Sequence, residues 1–213
     1  MNPLVTENIM VDIESYGRRP GDLVVSIGAV VFSSSLDAAL HGTVLTGRPE
    51  HEFHAVLSFD EAERESRFGK EAETMRWWRE DAPVAFVRLR EMMHESKLDV
   101  RGLMVAFTDW LRPFCEQGYN VVGNSPRFDL SMIEHACLVT DVPYPVHYRA
   151  EADYRMLTDL MYGPDEKPRP GPNMGHDALA DAKFQALVYA KTFQTFETWR
   201  ELALRARAQQ VLG

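Results

Sequence analysis

The chain has 213 residues, 45% hydrophobic and 26% charged, which is ordinary for a soluble globular protein of one large domain or two small ones. A formal charge of −9 argues against gripping long duplex nucleic acid through many phosphates, but not against holding a few nucleotides with the help of bound cations. No apolar run approaches the roughly 20 residues of a membrane span, MNPLVTEN lacks the pattern of a secretory leader, and Cys115 and Cys137 make no disulfide framework, so a cytoplasmic setting is expected.

Residues 8–14 read as a first strand and LVVSIGAVVF, 23–32, as a second. The turn-rich SYGRRPGD between them predicts an antiparallel hairpin. A third strand is expected within 52–58, where Phe53, Ala55 and Leu57 alternate with more polar neighbours. Residues 70–94 have helical patterning, divided in two at Pro83, which suits a helix first turn. The stretch 100–117 is strongly amphipathic, with Gly118 as its stop. A short strand at 120–123 precedes helices at 129–139 and 154–162, and 163–175 is loop by composition and expected to be mobile. Helices at 177–193 and 195–210 close the chain, the last as an extension from about 195. The order predicts one α/β domain with a mixed sheet whose first three strands are antiparallel, flanked by helices.

Three places carry carboxylates in unusual company. In MVDIESYG, Asp12 and Glu14 are two apart on a strand and therefore project from one face. Two such charges repel and are costly to desolvate unless a cation lies between them, and Mg2+ or Mn2+ is the simplest compensation. The competing reading is a solvent-facing pair on an edge strand. In GNSPRFDL, Asp129 opens a helix just after a strand end, where it either caps the helix or adds a third metal-directed oxygen. In GHDALADA, His176 stands at a loop–helix junction and Asp181 lies within the first two turns; Asp177 reads as a helix N-terminal charge.

Each signal is weak alone, but their order and spacing resemble the DEDDh (DnaQ-like) 3'-5' exonucleases of the ribonuclease H-like fold. The spacing of GN…FD and the MRWW segment look most like the branch of phage DexA and small bacterial exoribonucleases. The resemblance implies Asp12, Glu14, Asp129 and Asp181 as ligands of two divalent ions, Mg2+ or Mn2+, with His176 as general base. It implies 3'-5' hydrolysis of single-stranded RNA or DNA, releasing nucleoside 5'-monophosphates.

Ser15 is then a candidate contact to the terminal ribose, and Asn124 and Phe128 to the terminal nucleotide. Of the adjacent Trp77 and Trp78, one belongs to the core and the other to a base or a subunit contact; Trp78 is taken as the substrate contact. Arg18, Arg19 and Arg127 are either phosphate contacts or solvated charges. Aromatic exposure near Trp77 allows a homodimer. The competing functions are an oligoribonuclease-like enzyme confined to very short chains, and a non-catalytic nucleic-acid-binding or interaction module on the same fold.

Overall fold

A computed structural model describes residues 6–163, 166–171 and 175–212. Five strands, β1 (Glu7–Ser15), β2 (Val24–Ser33), β3 (Glu52–Val56), β4 (Asn120–Gly123) and β5 (Glu151–Asp153), form one sheet in the order β3-β2-β1-β4-β5. β1 to β3 are antiparallel neighbours, whereas β4 runs parallel to β1 and β5 parallel to β4. The mixed sheet expected from the sequence is present. β5 was not expected, because Glu-Ala-Asp has neither length nor apolar content to announce a strand.

The helices are α1 (Leu36–Leu40), α2 (Phe59–Arg64), α3 (Ala72–Glu80), α4 (Pro83–Glu95), α5 (Val100–Glu116), α6 (Asp129–Val139), α7 (Tyr154–Met161) and α8 (Ala178–Leu212). Pro83 does open α4, and Gly118, at a φ of 82°, follows the end of α5 in the left-handed region that glycine tolerates. The expected loop at 163–175 lies partly outside the described residues. Among the described residues, no helix is long and apolar enough to cross a membrane. Both cysteines are free, Cys137 buried and Cys115 half-buried.

β1 is the centre of the sheet, and its alternation sorts the core into two clusters. Ile9, Val11 and Ile13 join Leu103, Phe107, Leu111 and Ile133 of α5 and α6. Met10 joins Val30, Phe32 and Val122 with Tyr154 of α7 and Ala182, Ala186 and Tyr189 of α8 on the other face. Asp12 and Glu14 continue that second face.

α8 departs from the expectation of two helices divided at residue 194. It is continuous over 35 residues. Nothing between Phe193 and Thr195 breaks a helix, and Thr195 and Thr198 donate their hydroxyls to the carbonyls of Lys191 and Gln194 one turn back. The first half of α8 lies on the sheet through buried Ala178, Ala182, Ala186 and Ala190, while its second half exposes Trp199 (57%) and Leu202 (58%).

Candidate active site

The cleft opens where β1 outlasts its neighbour. β4 pairs with β1 from Asn8↔Asn120 to Val11↔Gly123 and then stops, so Asp12 is the first residue beyond that pairing. On its other side β1 stays paired with β2, and the register shifts between Glu14 and Ser15. A shift of this kind re-aims side chains and is common beside functional sites. An edge-strand pair in solvent is therefore not what the fold contains: the strand is central, and Glu14 is only 7% exposed.

Asp129 is the first residue of α6 and is 1% exposed. Helix capping does not account for it, since Phe128 occupies the cap position and no side-chain cap bond forms there. Its Oδ2 is buried with no hydrogen-bond partner among the described residues. A Cβ on Gly123 would stand 3.1 Å from that oxygen, so a glycine at the end of β4 gives the carboxylate its space.

Asp181 reaches the same place through a close approach of helix to sheet. Gly28 of β2 pairs with Asp12, and any Cβ there would run into the backbone of Ala178 and Leu179. The first turn of α8 thus rests directly on β2. Asp177 accepts a hydrogen bond from the Ala180 N–H at 2.9 Å, as a residue capping the helix would. His176, at a left-handed φ of 68°, donates its backbone N–H to Asp181 Oδ2 at 2.7 Å. Ligand atoms of Glu14, His176 and Asp181 all lie within 4.8 Å of one another. Gln185, one turn beyond Asp181, donates its amide to Asp12 Oδ1 at 2.7 Å.

Burial and mutual repulsion raise the affinity of this group for protons. Asp12 is pushed well above the ordinary carboxylate range by desolvation and then by Asp129, Glu14 and Asp181, against the Gln185 hydrogen bond. Glu14 is raised by desolvation, then by Asp181, Asp177 and Asp129. Desolvation carries Asp129 up to about 7, although backbone N–H groups around Asn124 and the charge of Arg155 oppose it. Asp181 is raised too, chiefly by desolvation. No salt bridge among the described residues reaches any of the four. Two full charges at the 4.8 Å limit repel by about 3 kcal/mol even at an effective dielectric near 20. Hard oxygen donors, an orphaned buried oxygen and missing positive charge together fit a divalent cation.

The cleft above these groups measures about 840 Å3 and is lined by Asp12, Glu14, His176 and Asp181, with Asp129 beneath its surface. One wall is α3 with Ser15. Trp78 is 1% exposed, stacks on Phe86 and donates its indole N–H to the Ser15 carbonyl at 3.0 Å. Trp78, the expected substrate contact, is among the residues that line the cleft, but its ring is packed in the larger core cluster. Its ring is a core element that fixes Ser15, and Trp77, 36% exposed, is the indole that faces outward. Trp77 also packs edge-on against the His176 ring, with centroids 4.8 Å apart. Ser15 is buried, its hydroxyl donating to the Gly17 carbonyl at 2.6 Å.

Asn124 and Phe128 line the cleft from the side of β4, and Phe128 also packs on the larger core cluster. Arg18 lines it too, but its guanidinium is held by Glu71 and Glu73. Arg19 and Arg127 are exposed and not among the lining residues. α7 and the segment after it also line the cleft, with Tyr154, Arg155, Lys167 and Arg169. Sequence reasoning missed Gln185, although its spacing from Asp181 places it on the same helix face. It also missed Arg155, which follows an unannounced strand and carried no signal.

A family model described as "3'-5' exoribonuclease Rv2179c-like domain" matches residues 7–193. Among solved structures, the nuclease domain of 3'hExo, a DEDDh family member bound to rAMP, is similar with a TM-score of 0.55 at 11% identity, over 92% of this chain and 95% of that one. Cell-death related nuclease 4 (CRN-4) is similar with a TM-score of 0.54 at 13% identity, over 90% of this chain and 64% of that one. Both share the fold of the chain described here. The search of curated proteins gave no match.

Proposed function

Since the chain belongs to the Rv2179c-like 3'-5' exoribonuclease domain family and is a 3'-5' exonuclease, we propose that it is a divalent-metal-dependent enzyme that trims single-stranded RNA to nucleoside 5'-monophosphates. The reading is carried by the four acidic side chains that converge past the end of β4 with no ion-pair partner among the described residues. Asp12, Glu14, Asp129 and Asp181 would hold two Mg2+ or Mn2+ ions. When bound, such ions supply an activated water and neutralise charge on the attacking and leaving oxygens of a phosphodiester.

The chain's own groups divide the remaining work. Gln185 holds one oxygen of Asp12 and so fixes the orientation of that carboxylate. His176, exposed at the cleft and steadied by Trp77 and by its backbone bond to Asp181, takes the proton from the attacking water. An imidazole suits this because its unperturbed pKa lies near neutrality. Ser15 is the small residue beside the terminal ribose, and the outward face of Trp77 receives the terminal base. The Asn124 side-chain amide makes no hydrogen bond among the described residues, which leaves it free for the nucleotide, while Phe128 borders it. Trp77 lines this cleft, and in this reading its exposed surface serves the substrate rather than a second subunit.

The test is digestion of end-labelled single-stranded RNA and DNA with Mg2+, Mn2+ or EDTA. The proposal expects stepwise release of mononucleotides from the 3' end of RNA, faster than from DNA, and none in EDTA. Internal cuts, or activity that survives EDTA, would overturn it.

A further inference from the structure

The cations that line the cleft are not equivalent. Arg18 is already engaged by Glu71, at 2.8 and 3.0 Å, and by Glu73 at 2.5 Å. Lys167 is paired with Asp159 at 3.1 Å. Arg155 is different. It stands in the first turn of α7, whose start is capped by Asp153 accepting from the Met156 N–H at 2.9 Å. Its Nε donates to the Asn124 carbonyl at 3.1 Å, so the plane of the guanidinium is anchored at one corner. Among the described residues its two terminal nitrogens have no hydrogen-bond or ion-pair partner, and Arg155 is one of the residues that line the cleft.

Two further observations say what such a group is for. The anchoring carbonyl belongs to the Asn124 turn that leads into Asp129, and Arg155 is the cation whose charge acts on buried Asp129. The guanidinium therefore flanks the carboxylate floor without neutralising it through an ion pair. It enters the cleft from α7, after the edge strand β5, whereas Ser15 ends the central strand β1 and Trp77 comes from α3. If the terminal nucleoside occupies the Trp77 side, as proposed above, the strand leaves the floor on the Arg155 side. A planar cation with one end fixed and two donors free matches the anionic oxygens of a phosphodiester.

We propose that Arg155 grips a phosphodiester of the RNA strand upstream of the scissile one, making the enzyme prefer a strand over a single esterified nucleotide. The proposal rests on the exonuclease reading of the same cleft. It places substrate preference on a residue outside the acidic motifs.

The experiment compares the intact protein with Arg155→Ala and Asp12→Ala on two substrates. One is an RNA hexamer; the other is the 4-nitrophenyl ester of a nucleoside 5'-monophosphate, which carries one phosphodiester only. The expected result for Arg155→Ala is a roughly tenfold fall in the ratio of kcat/KM for hexamer to that for ester, the size of a lost charged hydrogen bond. The slope of log kcat/KM against log salt for the hexamer should also become shallower by about 0.7, one phosphate contact of a single strand. An unchanged ratio would overturn the proposal, whether both substrates are spared or both lose activity together. Failure of the exonuclease reading looks different: the unsubstituted protein would cleave neither substrate, or Asp12→Ala would cleave both as well as the unsubstituted protein does.

Discussion

Two sets of carboxylates border the same cleft and have opposite electrostatics. On the rim, Glu71 is held down at about 2 by hydrogen bonds from Arg18 and Thr74, and its charge is matched. On the floor, Asp12, Glu14, Asp129 and Asp181 are all pushed up, and among the described residues no arginine or lysine forms an ion pair with any of them. The rim is finished as a structure. The floor carries charge that no ion pair among the described residues balances, which is the difference the proposed cation site rests on.

The largest expected effect comes from removing a floor carboxylate. Asp12→Ala should reduce metal-dependent release of mononucleotides to background while circular dichroism remains that of the folded protein; the rim change Glu73→Ala, at an exposed side chain, should leave the fold intact. Comparable activity in Asp12→Ala and the unsubstituted protein would erase the distinction between floor and rim. His176→Ala should lower kcat by about 10^2- to 10^4-fold, the range for a lost general base, with little change in KM in a steady-state assay.

Gly28→Ala sharpens the comparison from the side of the fold. The new methyl group meets the backbone of Ala178 and Leu179, so the first turn of α8 must lift from β2 and carry Asp181 away from Asp12. A loss of about 1–3 kcal/mol in urea unfolding is expected from the overpacking, together with weaker metal binding. Trp77→Ala should have the smallest effect of this series, about tenfold on kcat/KM, as expected for a lost stacking contact of about 1–3 kcal/mol. Trp77→Phe should recover much of it if the ring supports His176 and the terminal base.

Legibility in the sequence followed the reach of each signal. Asp12 and Glu14 were readable because period-two alternation fixes which way strand residues point, and Asp129 because a strand end followed by a helix start is a local pattern. The 129–139 helix and the break at Pro83 likewise depend on neighbours along the chain. What failed to show depends on neighbours in space. β5 exists because β4 offers it a parallel edge, not because Glu-Ala-Asp favours a strand. The inward placement of Trp78 was partly readable, since Met75 and Trp78 are three apart on one face of α3 and both pack on the larger core cluster. Gly28 looked like an ordinary strand glycine; only the arrival of α8 gives it a purpose. The division of α8 at residue 194 had no breaker behind it, and none acts.

The rim and the floor also respond to pH with opposite signs. A carboxylate whose folded pKa is lowered, such as Glu71, contributes stability present above its ordinary value of 4.5 and lost as the pH falls toward 2. A carboxylate whose folded pKa is raised binds protons more tightly in the folded state. Its contribution is present below the ordinary value of 3.8 and, for Asp129, is lost as the pH rises through about 7. The most direct measurement is therefore the melting temperature of EDTA-stripped protein from pH 5 to pH 8, with and without Mn2+. Convergence of unmatched carboxylates predicts that the stripped protein loses stability across that interval, that Mn2+ restores it most strongly at pH 8, and that Asp129→Asn flattens both responses. A stripped protein as stable at pH 8 as at pH 5, and indifferent to Mn2+, would contradict the account.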